Sequence, residues 1–272
     1  MEKTVSYGPF NTEPSGGHGH GGGGNVGLGN LEKPCDDCYL VGMRPNLVHP
    51  DGSTANFDTG AMLHHVVLFN GGARDATCAG WSERFFASGN ERGFPVLPRG
   101  YGYPVDADDN WWLVTHIMNM AEHARDLSIE ITFFYADGGS GLTSVKPFWL
   151  DINNCGNSQY MTPAGPHTEV RDFTVSPSWA GKLVAVGGHL HDYGERISLT
   201  NASRGKTICS ATADYGSNSS YEGHIESVGG CSGRPLTSIA AGETLRLRSR
   251  YDTPEPIHGV MGIMTGWVAP SS

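Results

Sequence analysis

The stretch Gly187-Gly188-His189-Leu190-His191-Asp192-Tyr193-Gly194 follows Lys182-Leu183-Val184-Ala185-Val186, an apolar, β-branched run that reads as a buried strand. Side chains two apart on a strand share a face, so His189 and His191 present two imidazoles side by side. Two imidazoles on one rigid face are half of a transition-metal site, and the flanking glycines let other groups come close. A solvated polar pair on a sheet would be written with the same letters. The rest of the histidine inventory argues for the metal.

Three further clusters fall on other expected strands. Met62-Leu63-His64-His65-Val66-Val67-Leu68-Phe69 carries adjacent histidines. Neighbours on a regular strand face opposite ways, so both can bind one ion only at a strand end or a bulge. Trp111-Trp112-Leu113-Val114-Thr115-His116 embeds a histidine in a run too apolar for a casual surface position. Ile257-His258-Gly259-Val260-Met261-Gly262-Ile263-Met264 offers two thioethers that point to opposite faces, so Met261 and Met264 are exclusive alternatives. His258 reads as a turn residue or an extra ligand.

The elements that must hold these groups are strands. Charged residues make up 17% of the 272, and 39 Gly with 16 Pro punctuate short apolar runs. Strands are expected over Tyr39–Met43, Met62–Phe69, Trp111–Met118, Leu127–Tyr135, Thr168–Val175, Lys182–Val186, Arg196–Thr200, Thr244–Tyr251 and Gly259–Val268. Only Asn119–Asp126 suggests a helical turn. The expected fold is all-β, with two tandem antiparallel β-sandwich (jelly-roll-like) domains over residues 31–150 and 151–272. A flexible Gly/His-rich segment, residues 1–30, precedes them, and its His18 and His20 read as chance members of a low-complexity stretch.

A formal charge of -10 with no basic cluster excludes a nucleic-acid surface, and no apolar run reaches the ~18 residues of a membrane span. No GxSxG occurs, which removes the nucleophile-elbow hydrolases. Six cysteines, sparse lysine and the sequons at Asn201 and Asn218 fit a secreted or periplasmic protein, although Met1-Glu2-Lys3-Thr4 leads into no signal-peptide core. Cys209 and Cys231 flank a Gly/Ser/Tyr-rich loop and are the best disulfide pair. Cys35 and Cys38 read as structural disulfide cysteines, because no βαβ pattern or second CxxC accompanies them.

The ordered set His-His, a histidine on a Trp-rich strand, His-x-His and a late Met resembles the copper type II, ascorbate-dependent monooxygenases, the family of peptidylglycine α-hydroxylating and dopamine β-monooxygenases. The Gly-Gly-His-Leu-His-Asp-Tyr-Gly wording is also similar to Nod19-like stress proteins of bacteria and plants. The resemblance implies two copper ions per chain: an electron-transfer ion on His64, His65 and His116, and an oxygen-activating ion on His189, His191 and Met261. It further implies O2, ascorbate or a similar reductant, and hydroxylation of a substrate C–H bond. Tyr193, beside the His-x-His pair, is the candidate for a supporting catalytic role.

The substrate-binding side of the pattern is absent. Where the peptide-amidating enzymes carry an arginine two residues before His-x-His, this chain has Gly187. Val114, Ile263 and Thr265 likewise replace polar positions. Buried carboxylates need a bidentate cation, which these residues lack, and nothing in the sequence brings Arg99, Arg171 or Arg196 in instead. The expected function is therefore copper-dependent monooxygenation of an unidentified organic substrate. A non-catalytic copper storage or delivery protein on the same scaffold is the alternative. A third reading is a single zinc or iron site with Asp192 as carboxylate.

Overall fold

A computed structural model describes residues 1–15, 25–93, 95–216, 221 and 223–271. His18, His20 and the Asn218 sequon lie outside the described residues. The Asn201 side chain is buried, and its amide donates to Glu243 at 2.8 Å.

Among the described residues the chain is all-β, with no α-helix. Leu127-Ser-Ile-Glu-Ile-Thr-Phe shows why. Its odd-numbered side chains, Leu127, Ile129, Ile131 and Phe133, are fully buried while the even ones face outward, the period of a half-covered strand. Seven of the nine expected strands lie within strands of the fold; Thr168–Val175 overruns its strand by one residue, and Gly259–Val268 is split in two at Met261. Residues 2–12, grouped above with the flexible segment, instead form a strand that buries Val5, Tyr7 and Phe10. Asn119–Asp126 is not helical. The fully buried Asn119 side chain accepts from Ala121 N–H and donates to His123 O and Thr12 O, giving the backbone a local alternative to helix.

The expected pair of tandem jelly rolls does not form. The strands sort into four main sheets in a four-bladed, propeller-like arrangement. Sheet I runs Glu2–Thr12, Arg125–Asp137, Cys38–Val48, Tyr101–Val105, Thr143–Ser144. Sheet II runs Val26–Leu28, Trp111–Asn119, Ala61–Arg74, Ser82–Ser88. Sheet III runs Lys146–Asp151, Gly262–Pro270, Gly181–Leu190, Gly230–Ile239. Sheet IV runs Gly165–Thr174, Thr244–Thr253, Gly194–Asn201, Lys206–Tyr215, Ile225–Val228. Sheets I and II share one apolar core, with Leu40, Leu63, Leu113 and Phe133; sheets III and IV share another, with Leu183, Val186, Leu247 and Met264. Sheet III contributes to both, because Val184, Trp267 and Ala269 belong to the first core. It is covered on two faces, which an outer wall of a self-contained sandwich would not be. Alternation in the sequence marks which residues point inward but not which sheet they meet.

All six cysteines are paired: Cys35–Cys38, Cys78–Cys155 and Cys209–Cys231. No helix among the described residues is long and apolar enough to cross a membrane.

Candidate metal centre

The register of sheet II slips between Leu63 and His65, with Leu63 opposite Ile117 and His65 opposite His116. His64 is therefore the extra residue of a bulge. Leu63 before it and Val66 and Leu68 after it all enter the core, a change of parity that only an inserted residue allows. The bulge brings both neighbouring imidazoles to one place. His64 Nδ1 and His65 Nδ1 lie 3.0 Å apart, and nitrogens of His64, His65 and His116 all fall within 4.8 Å of one another. Nitrogens about 2 Å from a common ion are at most about 4 Å apart, so the trio fits a metal after a closure of under about 1 Å.

The second group meets the first directly. The rings of His64 and His191 are 5.4 Å apart, those of His189 and His191 5.3 Å, and those of His64 and His116 4.7 Å. Five imidazoles from both halves of the chain thus make one cluster. His191 lies just past the strand that carries His189, at the start of a turn closed by Gly194 N–H donating to His191 O at 3.0 Å. Met261 lies between Ile257–Val260 and Gly262–Pro270 and lines the same cavity as His65 and His189, whereas Met264 is fully buried in the core.

Two side chains invisible to motif reading organise this meeting. Glu91 accepts from or donates to His189 Nδ1 at 2.8 Å, according to the proton's position, joining the first half of the chain to the second. Gly89 makes room for it: a Cβ there would stand 2.6 Å from Glu91 Oε2 and 3.0 Å from His64 O. Tyr251 is fully buried. Its hydroxyl accepts from His191 N–H at 2.9 Å and donates to the Met261 carbonyl, tying together the backbones of two expected ligands. A search for metal-binding side chains passes over both, since one partner is a distant carboxylate and the other a hydroxyl that touches only main chain.

Burial, then the neighbouring His116 and His189, pushes the His65 imidazole down to about 4, so it is neutral at ordinary pH. Burial opposes both charges of the Glu91–His189 pair, and their attraction and hydrogen bond outweigh it. The carboxyl is held below and the imidazole above its usual value. Asp192 takes no part in the histidine trio. It holds His224 Nδ1 at 2.6 Å and thereby raises that imidazole's affinity for protons. His224 stacks on Phe57 at 4.0 Å. Tyr193 is a left-handed turn residue and 48% exposed. His258 is exposed and pairs with Met161 in a separate two-stranded ribbon.

A cavity of about 620 Å³ separates sheets II and III, with His65 and His189 at one end. Its two walls are ladders of paired residues. His65/His116, Val67/Val114 and Phe69/Trp112 succeed one another on sheet II, and His189/Ile263, Gly187/Thr265 and Ala185/Trp267 on sheet III. Trp112 lines the cavity, whereas its neighbour Trp111 and Tyr103 are buried in the core of sheets I and II.

Residues 122–271, more than half of the chain, match the family described as stress up-regulated Nod 19. The chain is 31% identical over 225 residues to a probable copper-dependent oxygenase, clz3, of Cochliobolus lunatus, covering 78% of this chain and 70% of that protein. It is 28% identical over 268 residues to the probable copper-dependent oxygenase M1 of a Phoma species, covering 93% of this chain and 66% of the relative's length. Among solved structures, N-glycanase F aligns with a TM-score of 0.47 at 12% identity, over 98% of this chain and 96% of that one, a likeness too slight to bear on function.

Proposed function

The chain belongs to the stress up-regulated Nod 19 family, and we propose that it is a copper-dependent oxygenase hydroxylating a C–H bond of an organic substrate. The observation that carries this reading is a cluster of five imidazoles, two of which, His65 and His189, line with Met261 a cavity large enough for a substrate. Relatives named as copper-dependent oxygenases support the choice of metal. A cavity of 620 Å³ beside the ligands favours turnover of an organic substrate over storage or delivery alone.

Six donors suffice for two three-coordinate ions, His64, His65 and His116 holding one and His189, His191 and Met261 the other. Imidazole suits both oxidation states of copper, and a thioether favours Cu(I). When bound, copper supplies one-electron redox chemistry and O2 activation. The protein's own contribution is positional. Burial keeps His65 neutral with a lone pair to offer, and Glu91 holds His189 Nδ1, leaving Nε2 as the ligating atom. Overall, one oxygen atom enters the C–H bond and the other leaves as water, with two electrons from ascorbate or a similar reductant and two protons. The complete pairing of cysteines supports an oxidising, extracytosolic compartment.

Elemental analysis after copper loading and desalting, with ascorbate-driven O2 consumption on the same samples, tests the proposal. Two coppers are expected in wild type, one in His116→Ala, and at least tenfold weaker Cu(I) binding with lost O2 uptake in Met261→Ala. One copper in wild type, or two that neither substitution disturbs, overturns the assignment. Full loading with no O2 uptake under any reductant overturns the oxygenase reading in favour of storage.

A further inference from the structure

The cavity between sheets II and III is specific about charge. Its walls carry Val67, Phe69, Trp112, Trp149, Ile263 and Trp267, and its 620 Å³ lies in the range of small-molecule sites. Phe69 and Trp112 stack on one another at 3.8 Å, with planes 6° apart, and so present a stiff, flat floor. Among the described residues no lysine or arginine lines it. One cation comes near, Arg84, whose guanidinium carbon is 4.6 Å from the Trp149 ring centroid, and its Nε is held by Asp75 at 2.8 Å. The ionisable pair that does line the cavity, Glu91 and His189, is hydrogen-bonded to itself at the histidine end. A carboxylate or phosphate lying against the Phe69–Trp112 and Trp267 walls would lose its hydration without gaining a lysine or arginine, against a chain of formal charge -10.

We propose that the substrate is an uncharged, largely apolar organic molecule with a flat or aromatic portion, seated between the Phe69–Trp112 wall and the Trp267 wall, its reacting carbon toward the histidines. The reaction assigned to this substrate rests on the copper-oxygenase reading; the binding preference rests on the cavity alone. Ser158, Ser232 and Thr265 along the lining can accept or donate a few neutral hydrogen bonds. Gly187 opens onto the space, since a Cβ at that position would meet nothing within 4 Å. A large side chain there fills the cavity without a backbone clash.

The test uses the copper-loaded full chain and an uncharged fluorescent probe, N-phenyl-1-naphthylamine, displaced by 2-naphthoate or by its methyl ester. Saturable probe binding is expected, at least tenfold weaker in Gly187→Phe, with the ester displacing at concentrations at least tenfold below the acid. Thr265→Arg, which adds a cation to the wall, should narrow or reverse the preference for the ester. No saturable binding, binding indifferent to Gly187→Phe, or an acid as effective as its ester each overturns the proposal. Copper content on the same preparations separates the two readings. Probe binding that fails while copper is retained sinks the substrate class alone, and copper that fails to load while the probe binds sinks the oxygenase alone.

Discussion

Tyr251 bonds to the main chain on both sides of the second ligand group, accepting from His191 and donating to Met261. Removing its hydroxyl leaves a buried N–H and a buried carbonyl to find other partners, a loss of about 1–3 kcal/mol. Tyr251→Phe is therefore expected to weaken Cu(I) at His189, His191 and Met261 roughly tenfold, which is about 1.4 kcal/mol, while leaving the His64, His65 and His116 group unchanged. Competition against a chromophoric Cu(I) chelator measures both affinities, and equal weakening of the two groups would reduce Tyr251 to a general packing role. At this scale histidines are the readable part of the sequence. His189 and His191 announce themselves by spacing, and His64 with His65 by adjacency. Tyr251 and Glu91 do not, because a tyrosine in an alternating strand looks like core and a glutamate before Arg92 looks like solvated loop.

At the scale of the element, two adjacent histidines on one ion require a strand end or a bulge, and the register slip at His64 is the bulge. The Ser82–Ser88 strand was concealed in the sequence. Glu83 and Arg84 interrupt its apolar pattern, yet both are buried, Glu83 accepting from Tyr103 at 2.8 Å and Arg84 pairing with Asp75. Burial, only partly offset by the Tyr103 hydrogen bond and Lys146 and reinforced by Asp75 and Asp109, pushes the Glu83 carboxyl from 4.5 up to about 7. The folded chain keeps a proton that the unfolded chain releases above 4.5. Stability contributed by Glu83 is thus full below that pH, falls as pH rises, and is gone above about 7, a change of about 3 kcal/mol. Glu83→Gln should leave stability near pH 4 little altered, flatten the decline and exceed wild type at pH 8. Denaturant titrations at the two pH values check this, and parallel pH curves for the two proteins would refute it.

For the whole molecule, composition and turn density made an all-β chain legible, but the assembly of its sheets was not. Sheet III is apolar on both faces, so Trp267 and Met264 serve different neighbours from one strand. Nothing in an alternating pattern says which side meets the cavity. The Cys78–Cys155 bridge, 77 residues apart in sequence, fastens the segment after Ala61–Arg74 to the segment after Lys146–Asp151. Cys78→Ser with Cys155→Ser should lower stability by about 2–4 kcal/mol, since closing a long loop restrains the unfolded chain most. Removal of Cys35–Cys38, three residues apart, should cost far less. Thermal unfolding of the two double variants makes the comparison, and equal losses would refute the loop-length account. The convergence of the histidines also sets an order of manufacture. His64, His65 and His116 leave the ribosome well before His189, His191 and Met261, so an ion captured during synthesis would sit at a half-built centre. On the copper reading, metallation that yields a complete centre waits until the last strands have been made and docked.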